Sequence, residues 1–191
     1  MKKKLFLTGP DRSGKSELIR SALGDDIRRA GGFVTAREWD GAGNVLGFDL
    51  LSTDGSGQPE RFLEFVNGRH VSRLEVFSQT GTRLLRQAEN RPFVVLDELG
   101  GVELLDSSFV RALAQFLKSD TPCIGVLKGP GAGKTVGVMG LNLRYELARR
   151  VLWDNLVKNP DVQIVKINDA KDPGALEQVE QWVAEYVRND T

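Results

Sequence analysis

Gly9-Pro10-Asp11-Arg12-Ser13-Gly14-Lys15-Ser16 decides the fold of this 191-residue chain. A short apolar run, Leu5-Phe6-Leu7, precedes it, and a helix-like stretch from Lys15 to Arg29 follows. Strand, glycine-bounded loop and helix, with the spacing G-x-x-x-x-G-K-S, form a phosphate-binding loop. Gly9 and Gly14 let the backbone curl so that successive N–H groups from Gly9, Pro10, Asp11, Arg12 and Ser13 onward surround phosphate oxygens, Pro10 excepted as a donor. The helix N-terminus near Lys15 adds its open amides and its positive dipole end. Lys15 reaches the outer phosphates as a point charge, and the Ser16 hydroxyl can ligate Mg²⁺.

Working outward, the chain alternates between strand and helix patterns, with one interruption. Ala30-Gly31-Gly32 is expected to end the first helix. Phe33–Trp39 and Val45–Ser52, separated by the turn Asp40-Gly41-Ala42-Gly43-Asn44, predict a β-hairpin, and Arg61–Val66 a third strand. This β-meander, about 33–66, is too small to hold a core alone and is taken as an insertion in a single domain spanning 1–191. Ser72–Glu89 predicts a helix that Gly81 weakens. Phe93–Leu96 is a buried strand ending in Asp97-Glu98. Asp106–Lys118 is an amphipathic helix, Pro122–Leu127 a strand, Asn142–Lys158 a helix and Val162–Ile167 the last strand. Asp172-Pro173 caps a final helix with Leu176, Val179, Val183, Tyr186 and Val187 inward. The pattern predicts an α/β fold: a doubly wound, mainly parallel sheet with helices on both faces and its ligand at the carboxyl ends of the strands.

The second half of the site follows from that placement. Asp97, after four apolar strand residues, has the position of an acid that holds Mg²⁺ opposite Ser16. Glu98 beside it can orient and deprotonate a water attacking the γ-phosphate. Lys15 and Glu98 are therefore the candidate catalytic residues, Gly9 to Ser16 the nucleotide-binding residues, and Ser16 and Asp97 the metal ligands. Gly129-Pro130-Gly131-Ala132-Gly133-Lys134-Thr135 resembles a second phosphate loop but has Lys128 where the first glycine belongs. It is expected to be a flexible loop from which Lys128, Lys134 or Arg144 could clamp the phosphates. His70 is expected in a solvated loop, and Trp39, Trp153 and Trp182 as packing anchors.

Composition sets bounds on this reading. Twenty-six basic residues balance 26 acidic ones, so bulk charge gives no reason to expect nucleic acid or an anionic membrane as partner. One cysteine, Cys123, excludes an internal disulfide and a thiolate zinc cage. Lys2-Lys3-Lys4 is followed by too short an apolar run for an export signal, and no run reaches membrane-spanning length, so the cytoplasm is the expected compartment.

These landmarks resemble a known family, the small P-loop nucleoside triphosphatases first described from thermophiles, whose animal relative is cancer-related nucleoside-triphosphatase. The resemblance rests on Gly9–Ser16, on Gly31-Gly32-Phe33-Val34-Thr35 with its hairpin returning at Gly47-Phe48-Asp49, and on Val95-Leu96-Asp97-Glu98-Leu99-Gly100-Gly101-Val102-Glu103-Leu104. It implies a P-loop NTPase with a RecA-like core, in which an additional strand separates the loop strand from the Asp97 strand. It also implies Mg²⁺-dependent hydrolysis of ATP, GTP and other nucleoside triphosphates, and carries Glu103 over as a site residue. Family members usually have a basic cluster after the strand placed at Pro122–Leu127, whereas here Lys128 stands alone before Gly129.

Two other readings use the same loop. A nucleoside or nucleotide kinase would employ residues 129–150 as a lid, with Lys134, Arg144, Arg149 and Arg150 over the phosphates. A nucleotide-dependent switch would turn over rarely and act through a protein partner that the sequence does not specify. Glu98 counts against the kinase, which must keep water from the phosphate.

Overall fold

The computed structural model describes residues 1–67, 69–129 and 143–189. Among the described residues, one sheet is built from β1 (Lys4–Thr8), β2 (Gly31–Trp39), β3 (Val45–Ser52), β4 (Glu60–Val66), β5 (Arg69–Ser72), β6 (Val94–Leu99), β7 (Cys123–Leu127) and β8 (Val162–Lys166). Their spatial order is β5-β4-β3-β2-β6-β7-β1-β8. Strands β2, β6, β7, β1 and β8 run parallel. Strands β3, β4 and β5 extend the sheet as an antiparallel meander from β2. Strand β7 thus lies between β1 and β6, the RecA-like arrangement.

Central parallel strands are covered on both faces, so their sequences read as unbroken apolar runs. β1 and β7 are buried at every position. Leu5 and Leu7 face α1 (Lys15–Leu23) and α5 (Pro173–Val183), whose Leu18, Ile19, Leu23, Val179 and Trp182 share their core. Phe6 points the other way, into a core built with α2 (Thr82–Ala88), α3 (Ser107–Phe116) and α4 (Leu143–Lys158). That period-two alternation assigns each β1 side chain to a layer. Even Lys4 is buried, its ammonium donating to Ser119 O at 2.6 Å. Asp106 caps α3 by accepting from Phe109 N, and Asp172 caps α5 by accepting from Gly174 N and Ala175 N.

Several local expectations change. The first helix stops at Leu23 because Gly24 (φ 53°) turns the chain, and Gly24–Arg29 is a 3₁₀ segment. Ala30-Gly31-Gly32 does not end a helix. Gly31 and Gly32 open β2, where a Cβ on Gly32 would lie 2.2 Å from Val95 O of β6. The stretch expected as one helix from Ser72 begins instead as the end of a short edge strand. It continues as a π-helical turn at Phe77–Gly81 and then as α2. Gly81 is there because a Cβ would lie 3.0 Å from the Phe109 ring. His70 is on edge strand β5, opposite Phe65, and not in a loop. Trp39 is 49% exposed and stacks on Arg37, so it is no packing anchor, whereas Trp182 is fully buried and Trp153 packs partly against the core. Leu176 is exposed. The expected Asn142 cap and Lys134 lie outside the described residues.

Candidate active site

The loop between β1 and α1 rests on the segment after β8. A Cβ on Gly9 would lie 2.1 Å from Ile167 O, and one on Gly14 (φ 78°) 2.4 Å from the Ala170 Cβ. Both positions therefore require glycine for space and, with φ of 153° at Gly9 and 78° at Gly14, for conformation as well. Gly14 is also the N-cap of α1, so no side chain occupies the first amides of that helix. Lys15 folds back over the loop, donating to Gly9 O at 3.2 Å, Pro10 O at 2.5 Å and Ser13 Oγ at 3.1 Å. Burial lowers its pKa. The exposed Asp11 and Arg12 form the loop's outer rim, Arg12 with a left-handed φ of 61°.

Ser16 Oγ donates to Asp97 Oδ1 at 2.6 Å, which joins the loop to β6 across the intervening strand. Asp97 Oδ2 also accepts from Arg20 and from Thr35 N, each at 3.4 Å. Burial pushes the Asp97 pKa upward; the Ser16 hydrogen bond and Arg20 oppose this, while Glu98 adds to it.

Neighbouring residues of a regular strand face opposite sides of the sheet. Asp97 and Glu98 nevertheless line one cavity. The β6–β7 register shifts between Leu96 and Leu99, and Glu98 adopts φ 63°, so a bulge turns the second acid toward the first. Lys128, at the end of β7, sits with its ammonium 3.5 Å from Glu98 Oε2. Burial works against that ammonium, but Glu98 and Glu103 outweigh it and raise its pKa. Glu103 is buried and accepts from Gly100 N at 2.6 Å and Gly101 N at 2.7 Å. Its pKa is raised by burial, against the pull of Lys128. Tyr145 of α4 donates to Gly100 O at 2.8 Å and secures the same turn.

The structure thus brings Gly9–Ser16, Asp97, Glu98, Lys128 and Glu103 together. It does not bring Arg144, whose guanidinium points to Leu105 O at 3.5 Å. Cys123 is buried, and burial pushes its thiol pKa far up, so it is inert. Sequence reasoning missed Arg20, Thr35 and Tyr145. Arg20 was findable, because it lies four residues after Ser16 and so on the same helix face. Thr35 and Tyr145 come from elements whose placement only the topology reveals.

The donor set suits a hard divalent cation. Ser16 and Asp97 offer adjacent oxygens, and among the described residues no three His, Cys, Asp or Glu side chains cluster to hold an ion by themselves. Mg²⁺ is commonly held in this way, by one or two protein oxygens completed by substrate phosphates and water.

A glycine-bounded loop feeding a helix, one strand removed from a paired acid, defines a P-loop NTPase fold. The family described as NTPase matches residues 4–139, and the chain belongs to it. Its members are hydrolases acting on phosphoric anhydrides. Among relatives, the human cancer-related nucleoside-triphosphatase is 30% identical over 149 residues, covering 68% of this chain and 77% of that protein. Nucleoside-triphosphatase THEP1 of Methanocaldococcus jannaschii is 27% identical over 134 residues, covering 65% of this chain and 77% of that protein. The fold matches the crystal structure of THEP1 from Aquifex aeolicus with TM-score 0.62 and 17% identity, over 92% of this chain and 96% of that one. It matches the solution structure of the human protein with TM-score 0.60 and 22% identity, over 95% of both chains. No helix among the described residues is long and apolar enough to cross a membrane.

Proposed function

We propose that this chain hydrolyses ATP, GTP and other nucleoside triphosphates to the diphosphate and phosphate in a Mg²⁺-dependent reaction. The observation that carries the reading is the bulge that sets Glu98 beside Asp97, with Asp97 bonded to Ser16. The loop amides and the open end of α1 bind the phosphate oxygens. Lys15 leaves its carbonyl partners and adds a positive charge to the outer phosphates. Ser16 and Asp97 would hold Mg²⁺, which supplies charge stabilisation to the phosphates when bound. Glu98 accepts the proton of the attacking water, with the Lys128 ammonium 3.5 Å from its Oε2. Lys128 adds a cation on the side where negative charge develops. Glu103 acts through Gly100 and Gly101, fixing the turn that follows the acids.

None of these groups reads a base, so broad nucleotide tolerance is expected. The test is phosphate release with ATP, GTP, CTP and UTP, with Mg²⁺ and with chelator, in the parent, Glu98→Gln and Lys15→Ala. Turnover of several nucleotides, lost with chelator and reduced by about 10²–10⁴ in Glu98→Gln, is expected for loss of a general base. Unchanged release in Glu98→Gln would overturn the assignment.

A further inference from the structure

The acids also form the polar end of something larger. A cavity of about 260 Å³ opens at Asp97 and Glu98 and extends among Phe48, Phe62 and Phe77 of the meander and the turn before α2. Phe62 packs edge-on against Phe77 with centroids 4.9 Å apart, and Phe48 is tilted against Phe62 at 6.3 Å. An additional aromatic ring would find edges and faces suited to it. The volume suits a molecule of one or two rings. Arg37 also lines the cavity. Its guanidinium is held over the rings of Trp39 and Phe48, at 5.4 and 5.1 Å. Among the described residues no carboxylate pairs with it, so its charge is fixed in place and open to an anion.

The cavity's polar end, at Asp11, Arg12, Asp97, Glu98 and Lys128, belongs to the phosphate site, but the phosphate chain does not require its aromatic end. The loop leans on Ala170 beyond β8, while Ser16 reaches Asp97 on β6, and these strands lie on opposite sides of β1. A nucleoside leaving the loop on the β8 side would leave the aromatic end of the cavity, on the β6 side, free. We infer that the cavity is a second ligand site, taking a flat aromatic small molecule whose anionic substituent is held by Arg37. Its ring lies against Phe48 and Phe62, and its inner edge faces Glu98. Resting on the hydrolytic reading, a further consequence is that the occupant takes the place of water beside Glu98 and slows phosphate release.

The test is calorimetric titration of the whole chain with 2-naphthoate, with tryptophan fluorescence as a second readout. One saturable site is expected, at least tenfold weaker in Arg37→Gln and in Phe48→Ser and unchanged in Lys15→Ala. Arg37 is on the rim, so Arg37→Gln remains informative should Phe48→Ser unfold. Absence of saturable binding, equal affinity in Arg37→Gln, or displacement of 2-naphthoate by nucleoside alone would overturn the inference. Binding is read without turnover. A chain that binds 2-naphthoate but never releases phosphate refutes the hydrolytic reading alone, and one that hydrolyses without binding it refutes the cavity alone.

Discussion

Glu98 carries a backbone conformation that L-residues other than asparagine and aspartate rarely adopt. Such a residue costs on the order of 1–3 kcal/mol and persists only where its surroundings impose it. Glu98→Gly removes that cost and offsets it with glycine's greater loss of freedom on folding, about 0.5–1 kcal/mol. We expect Glu98→Gly to be at least as stable as the parent in urea denaturation, yet to lose phosphate release by about 10²-fold or more. A stability loss above 1 kcal/mol would mean that the left-handed turn is not strained. Glu103 gives a pH signature. Its folded pKa lies above the unfolded value, so between the two the unfolded chain binds fewer protons and stability falls as pH rises. Glu103→Gln keeps an oxygen for Gly100 and Gly101 but has no charge to bury. Its advantage over the parent is therefore expected to be smallest at pH 4.5 and below and to widen as pH increases, measured by thermal unfolding across that range. A constant difference would place the ionisation outside this account.

The regular elements are legible in the sequence where a single rule governs them. Leu5-Phe6-Leu7 and the run ending at Leu96 read as buried strands, because double burial leaves no polar position. Asp172-Pro173 marks the start of α5, because cap and fixed φ agree. The elements that escaped are those decided by a distant neighbour. Gly31-Gly32 looks like a helix stop, but its glycines serve the close approach of β2 to β6. Gly81 looks like a helix breaker, but its missing side chain admits Phe109. Strand β5 is four residues long and too polar to signal itself. The same logic yields a prediction at Gly125 of β7, where a Cβ would lie 2.2 Å from Leu96 O. Gly125→Val must separate β7 from β6 beside the bulge, so we expect a loss of about 1–3 kcal/mol or more in denaturant melts, with reduced phosphate release. An unaltered melt would show that the two strands have room to spare.

Across the whole molecule, the two ends of the described chain are fastened together. Trp182 is fully buried, packs edge-on against Phe93 at 6.3 Å and donates to Lys3 O at 3.2 Å. Met1 pairs with Glu185 at 3.0 Å. Trp182→Ala should cost about 3–5 kcal/mol, seen as a lowered denaturation midpoint, and a cost below 1 kcal/mol would mean that α5 is dispensable to the core. The candidate site is legible to the extent that its chemistry is local: the loop spacing and the adjacent acids stand in consecutive residues. Its floor is not legible, because Ile167 and Ala170 enter it only through the pairing of β8 with β1. That pairing has a consequence for synthesis. At about 5–20 residues per second, roughly eight to thirty seconds separate translation of Gly14 from that of the segment it rests on. Throughout that interval the nascent chain carries the loop's sequence without its foundation, so nucleotide can act as a folding ligand only once the chain through Ala170 has been made.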